Sequence, residues 1–180
     1  MQKKIVLIGG PGTGKSSVLD ELESRNYICM PEVSREVTLK AKKEGIDQLF
    51  LTEPLLFSKL LLEGREQQYI DANNHHSDLV FFDRGLPDVH AYMEYTKEEY
   101  PVYFREKSIS YRYDYVFLFK PWQEIYISDN ERYESFEESV IINEHLQKAY
   151  QELNYSIIDV PFNTIEKRTD FILNWLKNNA

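Results

Sequence analysis

Residues 9 to 17 read GGPGTGKSS and follow directly on the apolar run Ile5-Val6-Leu7-Ile8. No other stretch narrows the fold so far. The pattern G-x-x-x-x-G-K-[ST] is met in full by Gly9, Gly14, Lys15 and Ser16. Glycines let the backbone bend so that successive N–H groups face one anion, and a helix starting at the loop adds its positive end. The predicted phosphate cradle therefore comprises Gly10, Pro11, Gly12, Thr13, Gly14, Lys15, Ser16 and Ser17. Lys15 is expected to reach the β- and γ-phosphates, and the Ser16 hydroxyl to ligate Mg²⁺. An ordinary glycine-rich turn is the competing explanation. The flanks argue against it: KKIVLI reads as a doubly covered parallel strand, and Val18, Leu19 and Leu22 repeat at helical spacing. The expected ligand is a nucleoside triphosphate.

The rest of the chain bounds the setting. At 180 residues the length predicts one domain, 1–180, with room for a substantial core. The apolar runs are too short to span a bilayer, and the one at the N-terminus leads straight into the loop rather than to a cleavage site. With 21 basic and 30 acidic residues the net charge is −9, which disfavours a duplex nucleic-acid partner. A single cysteine, Cys29, cannot form an internal disulfide, so a reducing cytoplasm is expected, with no membrane partner.

Strand and helix alternate along the sequence. Tyr27–Met30 reads as a second strand, followed by a helix with Pro31 and Glu32 in its first turn and Gly45 at its end. Thr52 is the expected N-cap of a long helix that breaks at Asn73-Asn74-His75-His76. Leu79–Phe82, Tyr115–Phe119 and Tyr155–Val160 supply three more apolar strands, with helical patterns between and after them. Ser135 and Glu138 have the spacing of a capping box. The prediction is an α/β P-loop NTPase, a five-stranded parallel sheet covered by helices on both faces. Ligands then bind beyond the carboxyl ends of the strands, where the loop, Pro31-Glu32, Asp83-Arg84 and Lys120-Pro121 should meet.

Several residues on that rim could do chemistry. Asp83 ends the strand LVFF and is the candidate carboxylate for Mg²⁺, the alternative being a cap on the helix after Gly85. Arg84 could bind a substrate phosphate or hydroxyl, or pair with Glu32. Glu32 could accept the proton of an attacking hydroxyl, or simply satisfy a helix N-terminus. Arg35, one turn later, fits a substrate contact or a pair with Glu36 or Glu32. The polar, aromatic stretch 120–135 could close as a lid, with Arg132 stabilising the transferring phosphoryl group, the alternative being a surface pair with Glu131 or Glu134. Catalytic candidates are thus Lys15, Glu32, Asp83 and Arg132; acceptor-side binding candidates are Glu32, Arg35 and Arg84; metal-ligand candidates are Ser16 and Asp83. Phe162 could stack on a nucleobase, although core packing is the expectation. The adjacent His75 and His76 read as a solvated turn.

Taken together, GGPGTGKSSVLDEL, PEVSREV, FFDRGLPD, VFLFKPW and DNERYESFEE resemble a family of small AAA-like ATPase/kinase domains. That family is related to the ribosylnicotinamide-kinase domain of the NAD-biosynthesis regulator. More distantly, Pro31-Glu32 and Asp83-Arg84-Gly85 look like motifs of deoxynucleoside and thymidylate kinases. The resemblance implies a nucleoside/nucleotide-kinase-like fold, Glu32 as acceptor-side base, Arg84 as a contact to acceptor or phosphate, and a lid around Arg132. It departs from that pattern in having one lid arginine where nucleoside kinases carry several.

Two functional expectations follow. The first is a kinase that moves the γ-phosphoryl group of ATP, with Mg²⁺, to a small hydroxyl-bearing acceptor. The second is a regulatory ATPase or GTPase switch that signals its nucleotide state to a partner protein. The Asn-Lys-x-Asp guanine-reading pattern is absent, which favours ATP.

Overall fold

The strands carry apolar side chains on both faces, and this forces helices onto both sides of the sheet. In the computed structural model, which describes residues 2–46, 48–126 and 134–179, five parallel strands form one sheet. They are β1 (Lys3–Ile8), β2 (Ile28–Met30), β3 (Leu79–Asp83), β4 (Tyr115–Leu118) and β5 (Ile157–Asp159). Their order is β2-β3-β1-β4-β5, so the strand that feeds the glycine-rich loop lies in the middle. Register places Leu7 beside Asp83 and beside Phe117.

Pleating alternates the side chains between two cores. Val6, Ile8, Val80, Phe82, Val116 and Leu118 face one core, which is closed by α2 (Val33–Lys43), α4 (Pro54–Asp71), α5 (Leu86–Thr96), α6 (Tyr103–Ser110) and α7 (Phe136–Glu152). Ile5, Leu7, Phe81, Phe117 and Phe119 face the other, closed by α1 (Lys15–Ser24) and α8 (Ile165–Asn179). A short helix, α3 (Leu49–Thr52), and one 3-10 turn (Ala72–Asn74) complete the described elements. Each fully buried Phe or Leu in these layers contributes on the order of 1.5–3 kcal/mol. Among the described residues no helix is long and apolar enough to cross a membrane.

Four boundaries differ from the sequence reading. Thr52 ends α3, with its hydroxyl donating back to the Gln48 carbonyl, and Glu53 is the residue before α4. Pro54 explains the shift, since its missing N–H and fixed φ suit the first helical position. Glu32 lies outside the first turn of α2 as its N-cap, where its carboxylate accepts from the Ser34 N–H at 3.2 Å. The second and fifth strands are shorter than their apolar runs, because each is an edge strand with a single neighbour.

Candidate functional site

The phosphate-loop geometry follows from its glycines. Gly12 and Gly14 adopt φ of 74° and 81°, in the left-handed region that side chains disfavour. The turn delivers Lys15 as the first residue of α1. Ser16 and Ser17 are exposed on that first turn, whereas Lys15 is buried. The Lys15 ammonium donates to the carbonyls of Gly9 (2.9 Å) and Gly10 (3.0 Å) and to Thr13 Oγ1 (3.3 Å). Burial, followed by the nearby Arg84 guanidinium, pulls its pKa down to about 7. The loop is fastened from α7 as well: Ser139 Oγ donates to the Pro11 carbonyl at 2.7 Å, and Asn143 Oδ1 accepts from the Gly10 N–H at 3.3 Å.

Two carboxylates end the neighbouring strands, and their surroundings push them in opposite directions. Asp83 is buried, and its Oδ1 has no hydrogen-bond partner among the described groups. Desolvation raises its pKa despite the opposing charge of Lys15. It does not cap the helix after Gly85. That task falls to Asp88, whose Oδ2 accepts from the Gly85 N–H (3.0 Å) and the Tyr150 hydroxyl (2.7 Å). Glu32 is gripped by two guanidiniums, Arg84 Nε at 2.6 Å and Arg65 Nη2 at 3.0 Å. Burial pushes its carboxyl up, but the two arginines and the Ser34 N–H outweigh it and hold the pKa at about 2.

That depression has a consequence for stability. The folded-state pKa lies below the unfolded value of about 4.5, so the contribution of Glu32 is complete above pH 4.5. It is lost as pH falls from there toward 2. Denaturant unfolding between pH 7 and pH 2.5 should show stability declining through this window, and Glu32→Gln should flatten the decline. An equal slope in both proteins would mean that Glu32 is not a source of the acid sensitivity.

Arg84 sits at φ 71° and reaches three partners at once. Besides Glu32, its Nη1 lies 3.4 Å from Asp88 Oδ1, and its guanidinium lies 5.4 Å from the centre of the Tyr92 ring. Of the two alternatives weighed for Arg84, the pair with Glu32 is therefore formed. Arg35 is exposed and, among the described residues, makes no ion pair with Glu32 or Glu36. It lines a cleft of about 600 Å³ between α1 and α2, together with Ser16, Glu32, Gln68 and Asp83. Four of the predicted site residues thus share one cavity, and Lys15 and Arg84 flank it.

Among the described residues no cluster of three or more His, Cys, Asp or Glu side chains is gathered as a metal cage. Mg²⁺ needs no such cage, since it keeps waters and takes one or two carboxylates plus phosphate oxygens. The partnerless Asp83 Oδ1, sharing the cleft with the exposed Ser16 hydroxyl, fits that kind of ligation.

Arg132 lies outside the described residues. On either side of it, Tyr126 donates its hydroxyl to the Glu134 carbonyl, and Ser135 and Glu138 form the expected capping box. The Tyr126 ring and Ile125 lie so close to Gly12 and Gly14 that a Cβ at either glycine would meet them. Lys120 is paired with Asp159 at 2.5 Å. Phe162 is not core: it is half exposed and stacks on Trp122 with ring centres 5.2 Å apart.

With this geometry in hand, the similarities to known proteins acquire a location. The model of the AAA domain family matches residues 4–168. The chain belongs to that family. No curated protein matches the sequence. Among solved structures, deoxyadenosine kinase from M. mycoides, solved with products dCMP and a flexible dCDP bound, superposes with a TM-score of 0.69 at 18% identity, covering 97% of this chain and 99% of that one. NadR in complex with NR gives a TM-score of 0.73 at 17% identity, covering 98% of this chain and 50% of NadR. NadR in complex with NAD and AMP-PNP gives 0.71 at 18% identity. The chain thus spans about half the length of NadR. At these identities the likeness establishes the fold, an α/β P-loop architecture shared with kinases.

Sequence reasoning missed Arg65, Asp88 and Tyr92. Arg65 had a readable signal: it stands on the Ser58-Leu61-Leu62-Tyr69 face of α4, a charge on an apolar stripe. Such a residue is buried only when paired.

Proposed function

We propose that this AAA-domain protein is a phosphotransferase that moves the γ-phosphoryl group of Mg-ATP to a hydroxyl of a small, nucleoside-like acceptor. One observation carries the reading: the Ser16 hydroxyl, the Asp83 carboxylate whose Oδ1 has no partner among the described residues, and the Arg-held Glu32 carboxylate share one cleft beside Lys15. The kinase fold of its structural neighbours, some solved with dATP or AMP-PNP, supports the same class of donor.

In this reading the backbone N–H groups of Gly12–Ser17 cradle the phosphates, and Lys15 moves its bonds from the Gly9 and Gly10 carbonyls to phosphate oxygens. Ser16 and Asp83 would hold Mg²⁺, which would supply charge neutralisation at the phosphates. The acceptor oxygen forms the new P–O bond as the bond to the β-phosphate oxygen breaks, and ADP leaves. Glu32, at a pKa of about 2, is a weak base. It accepts a hydrogen bond from the acceptor hydroxyl and orients it; as the P–O bond forms that oxygen becomes far more acidic than a carboxyl, so its proton passes to Glu32 and from there to solvent. A loose phosphoryl-transfer transition state asks for little more. Arg84 keeps Glu32 in place and offers its guanidinium to the acceptor, and Arg35 lines the outer part of the cleft. Arg132 is assigned to the lid, as a charge on the transferring group.

The test is ATP consumption with Mg²⁺ against a panel of nucleosides, ribosylnicotinamide and nucleoside monophosphates, with products resolved by mass spectrometry. A phosphorylated acceptor is expected. Glu32→Gln should lower its formation by about 10²-fold or more while slow background ATP hydrolysis persists. ADP release that no acceptor accelerates, and that Glu32→Gln leaves intact, would instead establish a nucleotide switch.

A further inference from the structure

The glycine-rich loop has a second cation behind it that the reaction proposed above does not use. Arg168, in the first turn of α8, is 3% exposed, and its Nη2 donates to the Thr13 carbonyl at 2.7 Å. Its guanidinium lies over the Phe119 ring, 4.6 Å from the centre. A Cβ at Gly14 would stand 2.7 Å from its Nη1. Among the described residues it has no carboxylate within ion-pair distance, and its Nε is buried without a partner. Buried arginines are normally paired, because an uncompensated charge out of water is costly. Burial alone lowers its pKa, to about 10, which leaves it charged at neutral pH.

The direction of the bond to Thr13 shows where that charge acts. In a trans peptide the C=O and the N–H point to opposite sides. With the Thr13 carbonyl turned toward Arg168, the Gly14 N–H of the same peptide unit points away from that guanidinium. A charged donor on the carbonyl polarises the unit and strengthens its N–H as a donor. We infer that Arg168 is a positioning residue for the phosphates: it aims and polarises the Thr13–Gly14 peptide from behind, and the anion bound in front supplies its counter-charge. This rests on the P-loop reading of the site, and it adds a residue contributed by the last helix.

The test uses the full chain and two probes, MgATP and inorganic tripolyphosphate, which has no base or sugar to bind elsewhere. Arg168→Lys keeps a charge and a donor; Arg168→Met keeps the stem and loses both. Titration calorimetry should find both probes weakened about tenfold or more in Arg168→Met and within about threefold of wild type in Arg168→Lys. Thermal unfolding without ligand should leave the Met variant as stable as wild type or more so, because an unpaired buried charge has gone. A structural strut predicts the reverse, with Arg168→Met unfolding earlier and Arg168→Lys binding no better. That result, or wild-type binding by Arg168→Met, overturns the inference. Should wild type bind neither probe, the P-loop reading falls and takes this one with it.

Discussion

Lys15→Ala should cut the proposed phosphoryl transfer steeply while leaving the protein folded. The ammonium is buried, and its interactions are with the loop's own oxygens at Gly9, Gly10 and Thr13, not with the hydrophobic core. Its folded-state pKa, about 7, lies below the unfolded value of 10.5. For a base this sign means that the charged form disfavours folding at neutral pH, a penalty that fades only as pH rises toward 10.5. Removing it therefore does not cost the fold its stability. The expected loss is in turnover, about 10²–10³-fold, the scale seen when one preorganised donor to a developing charge is removed. Steady-state assays beside a thermal melt would check both halves. Turnover equal to wild type would remove the P-loop from the mechanism.

Arg65→Ala should do the opposite, with instability as its primary effect. Arg65 bridges Glu32 to the Gly85 carbonyl, at 3.0 Å each, from a position 3% exposed on α4. Its loss leaves the Glu32 carboxylate with Arg84 and the Ser34 N–H, one guanidinium short, and the Gly85 carbonyl without its Arg65 donor. Breaking one side of a buried ion pair costs about 3–5 kcal/mol. For a chain of this size that lowers Tm by roughly 6–20 °C. The effect should shrink in a Glu32→Gln background, because the stranded charge is then absent, and a double-mutant cycle reads that coupling directly. Additive losses would show that Arg65 stabilises through its stem and its bond to the Gly85 carbonyl and not through Glu32.

The two cases mark what was legible in the sequence. The glycine-rich loop, the alternation of apolar strands with helices, and the strand-end Asp83 are local patterns, and local patterns set the fold and half of the candidate site. Arg84 was legible as a candidate, with Glu32 as one of its two expected partners, but its reach to Asp88 and Tyr92 was not, since a left-handed residue at a strand end aims its side chain by backbone torsion that neighbours in sequence do not reveal. Arg65 and Asp88 act across 33 and 4 residues respectively, from helices whose faces are chosen by packing. Thr52 failed as a helix cap because Pro54 competes for the same boundary, and Phe162 failed as core because Trp122, on another loop, covers only one face of its ring. Arg168 was invisible for the same reason: nothing in α8 announces that the Thr13 carbonyl lies across from it.

The backbone N–H of Arg84 donates to the Leu7 carbonyl at 3.1 Å, one rung beyond the paired residues Leu7 and Asp83. Gly9 follows two residues later on that same chain segment. The loop on one side and the Glu32–Arg84 pair on the other are therefore mounted on adjacent rails of a single lattice, whose spacing is about 4.8 Å. The lattice acts as a gauge: heat, crowding or helix movements can alter what enters between the two mounts, but the span between them is held by peptide geometry. Diversity among relatives built on this frame should then arise in the loops that choose what is admitted, with the gauge itself left alone.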